Sequence, residues 1–107
     1  MRAAESRYLG LIAMLPCVIC SRFDATGLPV ELHHVAEGSG KRSNFAVVPL
    51  CGYRMDGGHH RGGGGLHGMG SQAFVRLYRP PFENEYGLLV WTSEDLEKHG
   101  LLKRRAA

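Results

Sequence analysis

Apolar and polar residues alternate along the chain in blocks whose spacing predicts a series of short elements. Tyr8, Leu11, Ile12 and Leu15 recur at helical spacing, so residues 4–15 are predicted to form a helix. Pro16 ends it, because the residue before a proline is pushed out of the α region. Cys17-Val18-Ile19-Cys20 follows as a tight turn, and residues 21–29 read as a polar loop with turn signals at Gly27 and Pro29. Val30–Val35 is predicted as a short strand. Phe45–Leu50 is a second, apolar one that can pair with the first as a hairpin, with Pro49 at an edge or at the strand's end. Residues 70–79 are predicted helical, with Phe74, Leu77 and Tyr78 on an apolar face, Ser71 as N-cap and Pro80-Pro81 as the stop. Tyr86–Trp91 reads as strand-like or packed extended chain. Thr92 or Ser93 then caps a last helix over 94–99, with Glu94 and Asp95 in its first turn and Gly100 just past its end.

Composition narrows this to one small α+β domain. The chain has 107 residues, 44% of them hydrophobic, which supports a limited core; 15 glycines make it loop-rich. A formal charge of +3 fits an anionic partner without requiring one. The apolar run from Tyr8 to Cys20 is too short to span a bilayer. Glu5 sits where a leader would carry basic residues, and no small-residue cleavage site follows, so no membrane association and a cytoplasmic location are expected. No internal repeat is visible.

Five of the six histidines fall in two patches, His33-His34 and His59-His60 with His67. An odd number of cysteines, three, leaves no complete disulfide framework. Cys17 and Cys20 form a C-x-x-C whose spacing points both sulfurs at one tetrahedral centre. Two buried apolar cysteines after a helix would give the same letters. Successive strand residues face opposite ways, so His33 and His34 are expected to divide their work, one as ligand and one as acid/base group. A surface histidine pair at a strand end is the plain alternative. The glycines at 62–65 lack the Lys-Ser/Thr ending of a P-loop and read as a spacer that lets His67 fold back toward His60. Lys41 and Arg42 stand together in the loop over 36–44, placed either to reach a phosphate backbone or merely to be solvated. The basic tail Lys103-Arg104-Arg105 has the same two readings.

The ordered combination of strand, His33-His34, loop, Val48-Pro49-Leu50-Cys51, His59-His60-Arg61-Gly62 and Leu66-His67-Gly68 resembles the HNH, or ββα-metal, endonucleases. Within them it is most similar to the small phage recombination-associated proteins of the Ref type, which are RecA-dependent nucleases. The resembling features span residues 17 to 78, and Trp91–Leu96 is also similar to the end of such proteins. The resemblance implies a ββα-metal domain with zinc knuckles and flanking N- and C-terminal helices. It implies DNA as substrate, a recombinase filament as partner and phosphodiester hydrolysis as the reaction. Carried over position by position, it makes His34 the general base and His33, His60 and His67 the ligands of a catalytic ion. Cys17, Cys20 and Cys51 become ligands of a structural zinc, with His59 where a fourth cysteine often lies.

Two departures stand out. The family's middle Asn or His falls about five residues before Cys51, where this chain has Ala46; Asn44 is the nearest candidate but lies out of register. Cys51 and His59 are separated by seven residues rather than the roughly two of a compact knuckle. A three-histidine site suits Zn, Ni, Co or Mn, while Mg prefers oxygen ligands although the superfamily often uses it. Arg61 and Arg76, with Lys41 and Arg42, are the expected phosphate contacts, and no recognition helix for reading bases is evident. The competing expectation is a non-catalytic zinc module that binds DNA or protein and has no use for an open metal site.

Overall fold

Two antiparallel strands, Val30–His34 (β1) and Val47–Cys51 (β2), form the only sheet among the described residues, with His33 opposite Val48 and His34 opposite Val47. The structure, a computed structural model, describes residues 2–23, 29–35, 43–52 and 58–102. All five residues of β2 are buried, so it lacks the alternation of a strand with one wet face. The reason is that helices cover it from more than one side: α1 (Ala3–Ala13), α3 (Gly58–Arg61) and α6 (Glu85–Lys98) all pack against it. Val47 joins Ile12, Leu15 and Leu96 in one apolar cluster. Val48 and Leu50 join Cys17, Val18, Ile19, Phe74 and Leu88 in the other.

α1 ends where Pro16 requires it to, with Met14 as C-cap. The chain then returns to the sheet through Val18 N–H, which donates to the Pro49 carbonyl at 2.9 Å. The polar stretch expected to be loop after Cys20 begins instead with one helical turn, Cys20–Phe23 (α2), docked by Arg22 onto α6. Arg22 donates to Val18 O (3.1 Å), Asp95 Oδ2 (3.0 Å) and Trp91 O (3.3 Å), and its guanidinium carbon lies 4.8 Å from the centroid of the Trp91 ring.

The second strand starts two residues later than its apolar run. Residues 43–46 turn first, with Ala46 N–H donating to Ser43 O at 3.1 Å. After the described segment resumes at Gly58, α3 leads through a turn at residues 62–65 into α4 (Leu66–Met69) and α5 (Ser71–Tyr78). Gly70, not Ser71, is the N-cap of α5; the Ser71 hydroxyl is directed to Glu85 at 2.6 Å.

The largest correction concerns the C-terminal third. Tyr86–Trp91 is not extended, and neither Thr92 nor Ser93 starts a helix; a single 14-residue helix, α6, runs through both. Its cap is Asn84, whose side chain accepts from Gly87 N–H at 3.3 Å. Leu88, Thr92, Asp95 and Leu96 make its buried stripe at helical spacing, and Thr92 Oγ1 satisfies itself on Leu88 O at 2.8 Å. A side chain at Gly87 would run into the Pro81 carbonyl of the preceding 3₁₀ turn, Pro81–Glu83. The helix ends as expected, with Gly100 at φ +72° and Leu101 N–H returning to Leu96 O at 2.9 Å.

Candidate metal centres and cleft

Cys17, Cys20, Cys51 and His59 converge from the turn after α1, the end of β2 and the start of α3, and the three cysteines remain thiols. A tetrahedral ion with Zn–S near 2.3 Å and Zn–N near 2.0–2.1 Å sets S···S edges of about 3.8 Å and S···N edges of about 3.6 Å. Here Cys20 and Cys51 Sγ are 3.7 Å apart, and His59 Nδ1 lies 3.5, 3.3 and 3.2 Å from the sulfurs of Cys17, Cys20 and Cys51. The donors thus stand close to the edges of one coordination tetrahedron. The four residues can hold a structural metal such as zinc, and the seven-residue gap between Cys51 and His59 does not keep the fourth ligand away.

Backbone N–H groups of Cys20 and His59 point at the sulfurs of Cys17 and Cys51, at 3.5 and 3.4 Å. Gly58 makes the close approach possible: its φ is +60°, and a Cβ there would collide with the Cys51 carbonyl. Burial pushes the Cys17 and Cys20 thiols up, and neighbouring sulfurs add to it, so protons occupy them until a cation inverts the balance. Tyr78 closes the outside of the cluster, edge-on to the His59 ring at 5.7 Å, and is itself flanked by Phe23 and Phe74.

A second group lies next to the first. His33, His60 and His67 bring ligand atoms within 4.8 Å of one another. Their ring centroids are 4.8–5.4 Å apart. Consecutive residues on a helix are turned by about 100°, which is how His59 and its neighbour His60 on α3 serve different clusters. The glycine stretch closes a turn, Gly65 N–H to Gly62 O at 2.8 Å, and returns His67 on α4 to His60.

Carboxylates hold two of these rings. His33 Nε2 is 2.7 Å from Glu85 Oε1, in a pair almost fully buried. His60 Nδ1 is 2.8 Å from Glu31 Oε1. These bonds leave Nδ1 of His33 and Nε2 of His60 for an ion, the arrangement by which outer carboxylates orient metal-binding imidazoles. Burial alone would push the Glu85 carboxyl up, but hydrogen bonds from His33 and Ser71 bring it below the usual carboxylate range. Glu31 is held low by Arg61 first and His60 second.

His34, on the other side of β1, does not enter this group. Its Nε2 lies 3.0 Å from Asn44 Oδ1, and Asn44 Nδ2 donates to Glu5 Oε2 at 2.8 Å. Asn44, out of register by counting, reaches His34 because the turn at 43–46 carries it back over the end of β1, where Val35 N–H bonds Ala46 O at 2.9 Å. His34 nevertheless shares a cleft of about 230 Å³ with His33, His67, Gly70, Ser71 and Glu85. Somewhat larger hollows lie between α1 and α6 (Tyr8, Val90, Leu96) and along α5 (Gln72, Arg76, Arg79, Glu83), but neither is lined by cysteine or histidine. Chemistry rather than size singles out the histidine cleft.

Of the expected phosphate contacts, Lys41 and Arg42, like the 103–105 tail, lie outside the described residues. Arg76 is exposed on α5 and borders the α5 hollow. Arg61 is tied to Glu31 Oε1 at 2.9 Å and to Gly52 O at 2.6 Å, so a phosphate would compete there with an existing partner. Sequence reasoning passed over Glu85, Glu31 and Glu5. Glu31 carried a signal, since it stands two residues from His33 on the same strand face. Glu85 was hidden by the misreading of α6, and nothing local marks Glu5. Among the described residues no helix is long and apolar enough to cross a membrane. No family model, curated protein or solved structure matches this chain.

Proposed function

We propose that this chain is a metal-dependent DNA endonuclease of the HNH type. In this reading β1, β2 and the helical segment bearing His60 and His67 form a ββα-metal unit, braced by a structural zinc on Cys17, Cys20, Cys51 and His59. The observation that carries the proposal is that one cleft is bordered by His34, a histidine outside the metal-ligand geometry and pinned by Asn44, and by His33 and His67 of the three-histidine group. A non-catalytic zinc module has no need for either the open three-histidine group or a separately held imidazole.

The donor set fits a divalent ion: three imidazoles, two of them with their second nitrogen fixed by a carboxylate. Bound there, Mg, Mn, Ni or Zn would supply charge stabilisation to the scissile phosphate and the leaving 3′-oxygen. His34 takes the proton from the attacking water, a task suited to an imidazole near neutral pH and worth about 10²–10⁴-fold. Glu85 and Glu31 orient His33 and His60. Arg76, together with Lys41 and Arg42, supplies phosphate contacts that track the backbone rather than the base sequence. The resemblance to Ref-type proteins makes a recombinase filament the partner that presents the DNA.

The test is cleavage of supercoiled plasmid and of single-stranded circles with Mg, Mn, Ni and Zn, with and without a recombinase filament. The wild type should cleave, and His34→Ala should not while keeping its circular dichroism and its zinc. DNA binding without cleavage in every lane refutes the enzyme and leaves the zinc module.

A further inference from the structure

The histidine assigned as base is held by a chain of side chains that starts on the first helix. Glu5, in the first turn of α1, accepts from Asn44 Nδ2 at 2.8 Å through one oxygen and from the Arg2 backbone N–H at 3.2 Å through the other. These bonds, that from Asn44 foremost, hold its carboxyl below the usual range, so at neutral pH it is ionised and can only accept. An amide facing an acceptor-only group must present its NH₂. The Asn44 oxygen is therefore the atom that faces His34 Nε2, 3.0 Å away. That oxygen also only accepts, so Nε2 must carry the hydrogen. A neutral imidazole has one N–H, which leaves the lone pair at Nδ1.

We propose that Glu5, acting through Asn44, is a positioning residue that selects the His34 tautomer with its lone pair at Nδ1, the nitrogen turned away from Asn44. The consequence for catalysis rests on the nuclease reading, whereas the tautomer itself does not. Without an acceptor-only group at position 5, Asn44 has two equivalent solutions. Its oxygen can face a protonated Nε2, or its NH₂ can face a bare one. The second solution buries the lone pair against Asn44 and leaves a proton where the base should be. A donor-only group at position 5 would enforce that second solution.

The experiment reads the ring nitrogens directly, by long-range ¹H–¹⁵N correlation on ¹⁵N-histidine protein loaded with one zinc equivalent, with His34 assigned from H34A. The wild type should show a protonated Nε2 and a bare Nδ1. E5Q, which can donate or accept, should show a mixture, and E5K, which can only donate, should show the two nitrogens exchanged. E5A provides the same loss of selection as E5Q with a good helix former, in case the lysine disturbs the first turn. Cleavage measured in parallel should fall a few-fold in E5Q and about 100-fold or more in E5K, as the base is lost. A wild-type ring with its proton on Nδ1, or an E5K ring identical to the wild type, overturns the proposal. A wild type with the expected tautomer but no cleavage overturns the nuclease reading alone.

Discussion

Removing the ion from the Cys17–Cys20–Cys51–His59 cluster should unfold the domain. The three sulfurs are at most 1% exposed at the residue level, and they join the turn after α1 to the end of β2. His59 adds α3 to the same knot. Binding of a structural zinc is worth roughly 10–16 kcal/mol at neutral pH. A domain of this size has a net stability of roughly 5–15 kcal/mol in total. The ion's contribution is therefore of the same size as the whole margin. Shared evenly over four ligands, Cys20→Ser should cost roughly 2.5–4 kcal/mol. The pH dependence follows from the thiols. Burial raises the Cys17 and Cys20 thiols in the metal-free fold, and each coordinating thiol must lose its proton to bind. Ion and stability should be retained at neutral and alkaline pH and lost together as pH falls and protons displace the metal. The assay is chelator titration followed by near-ultraviolet circular dichroism, with released zinc quantified by a chromogenic dye. A metal-free protein with an unchanged spectrum and melting temperature would refute the reasoning.

Four further outcomes are expected. Glu85→Ala should weaken binding of a second divalent ion by about 10–100-fold, read by calorimetry on zinc-loaded protein, because His33 loses the partner that aims it. Glu85→Gln should flatten the acid side of the stability profile. The carboxyl is depressed in the fold, so the unfolded chain takes up its proton first and stability falls as pH drops through the folded value; urea midpoints at neutral and acid pH should lie closer together in the variant. Arg22→Ala should cost roughly 2–4 kcal/mol in urea unfolding, since it strands the buried Asp95 carboxylate on α6. Gly87→Ala should destabilise by roughly 1–3 kcal/mol despite the better helix propensity, because the new methyl meets backbone atoms of Pro81; a rise in melting temperature would show that this contact gives way.

How much of this was legible depends on whether the signal was local. The hairpin followed from two short runs bounded by turn signals, and the end of the first helix from Pro16. Clustering of cysteine and histidine pointed to metal binding, the division into two ligand sets came from the resemblance, and the expectation that His33 and His34 face apart followed from strand geometry alone; the structure brings each set together. α6 was misread because the apolar run Tyr86–Trp91 looks like a strand and Thr92 or Ser93 like a cap, whereas burial every third or fourth residue from Leu88 to Leu96 decides for a helix once the core exists. Asn44 was judged out of register by counting back from Cys51 as though the strand ran straight, and a turn at 43–46 undoes that count. Glu5 and Glu85 act across elements, at sequence separations no local pattern encodes.

His59 and His60 are neighbours on one helical turn, yet one belongs to the sulfur cluster and the other to the histidine cluster. If both groups take ions, their occupancy should therefore be coupled rather than independent. An ion on the thiols and His59 would add to the bonds that His60 and Arg61 make to Glu31 and Gly52, and so tighten the hold on α3 that places His60 beside His33. A second ion added to metal-free protein should bind weakly or meet an unfolded chain, whereas the same ion added after one zinc equivalent should find its site assembled. Coupling of this kind is reciprocal, so an occupied histidine site should in turn slow escape of the zinc. With both sites filled, the peptide bond between His59 and His60 would be the mechanical link through which zinc loading favours the second metal.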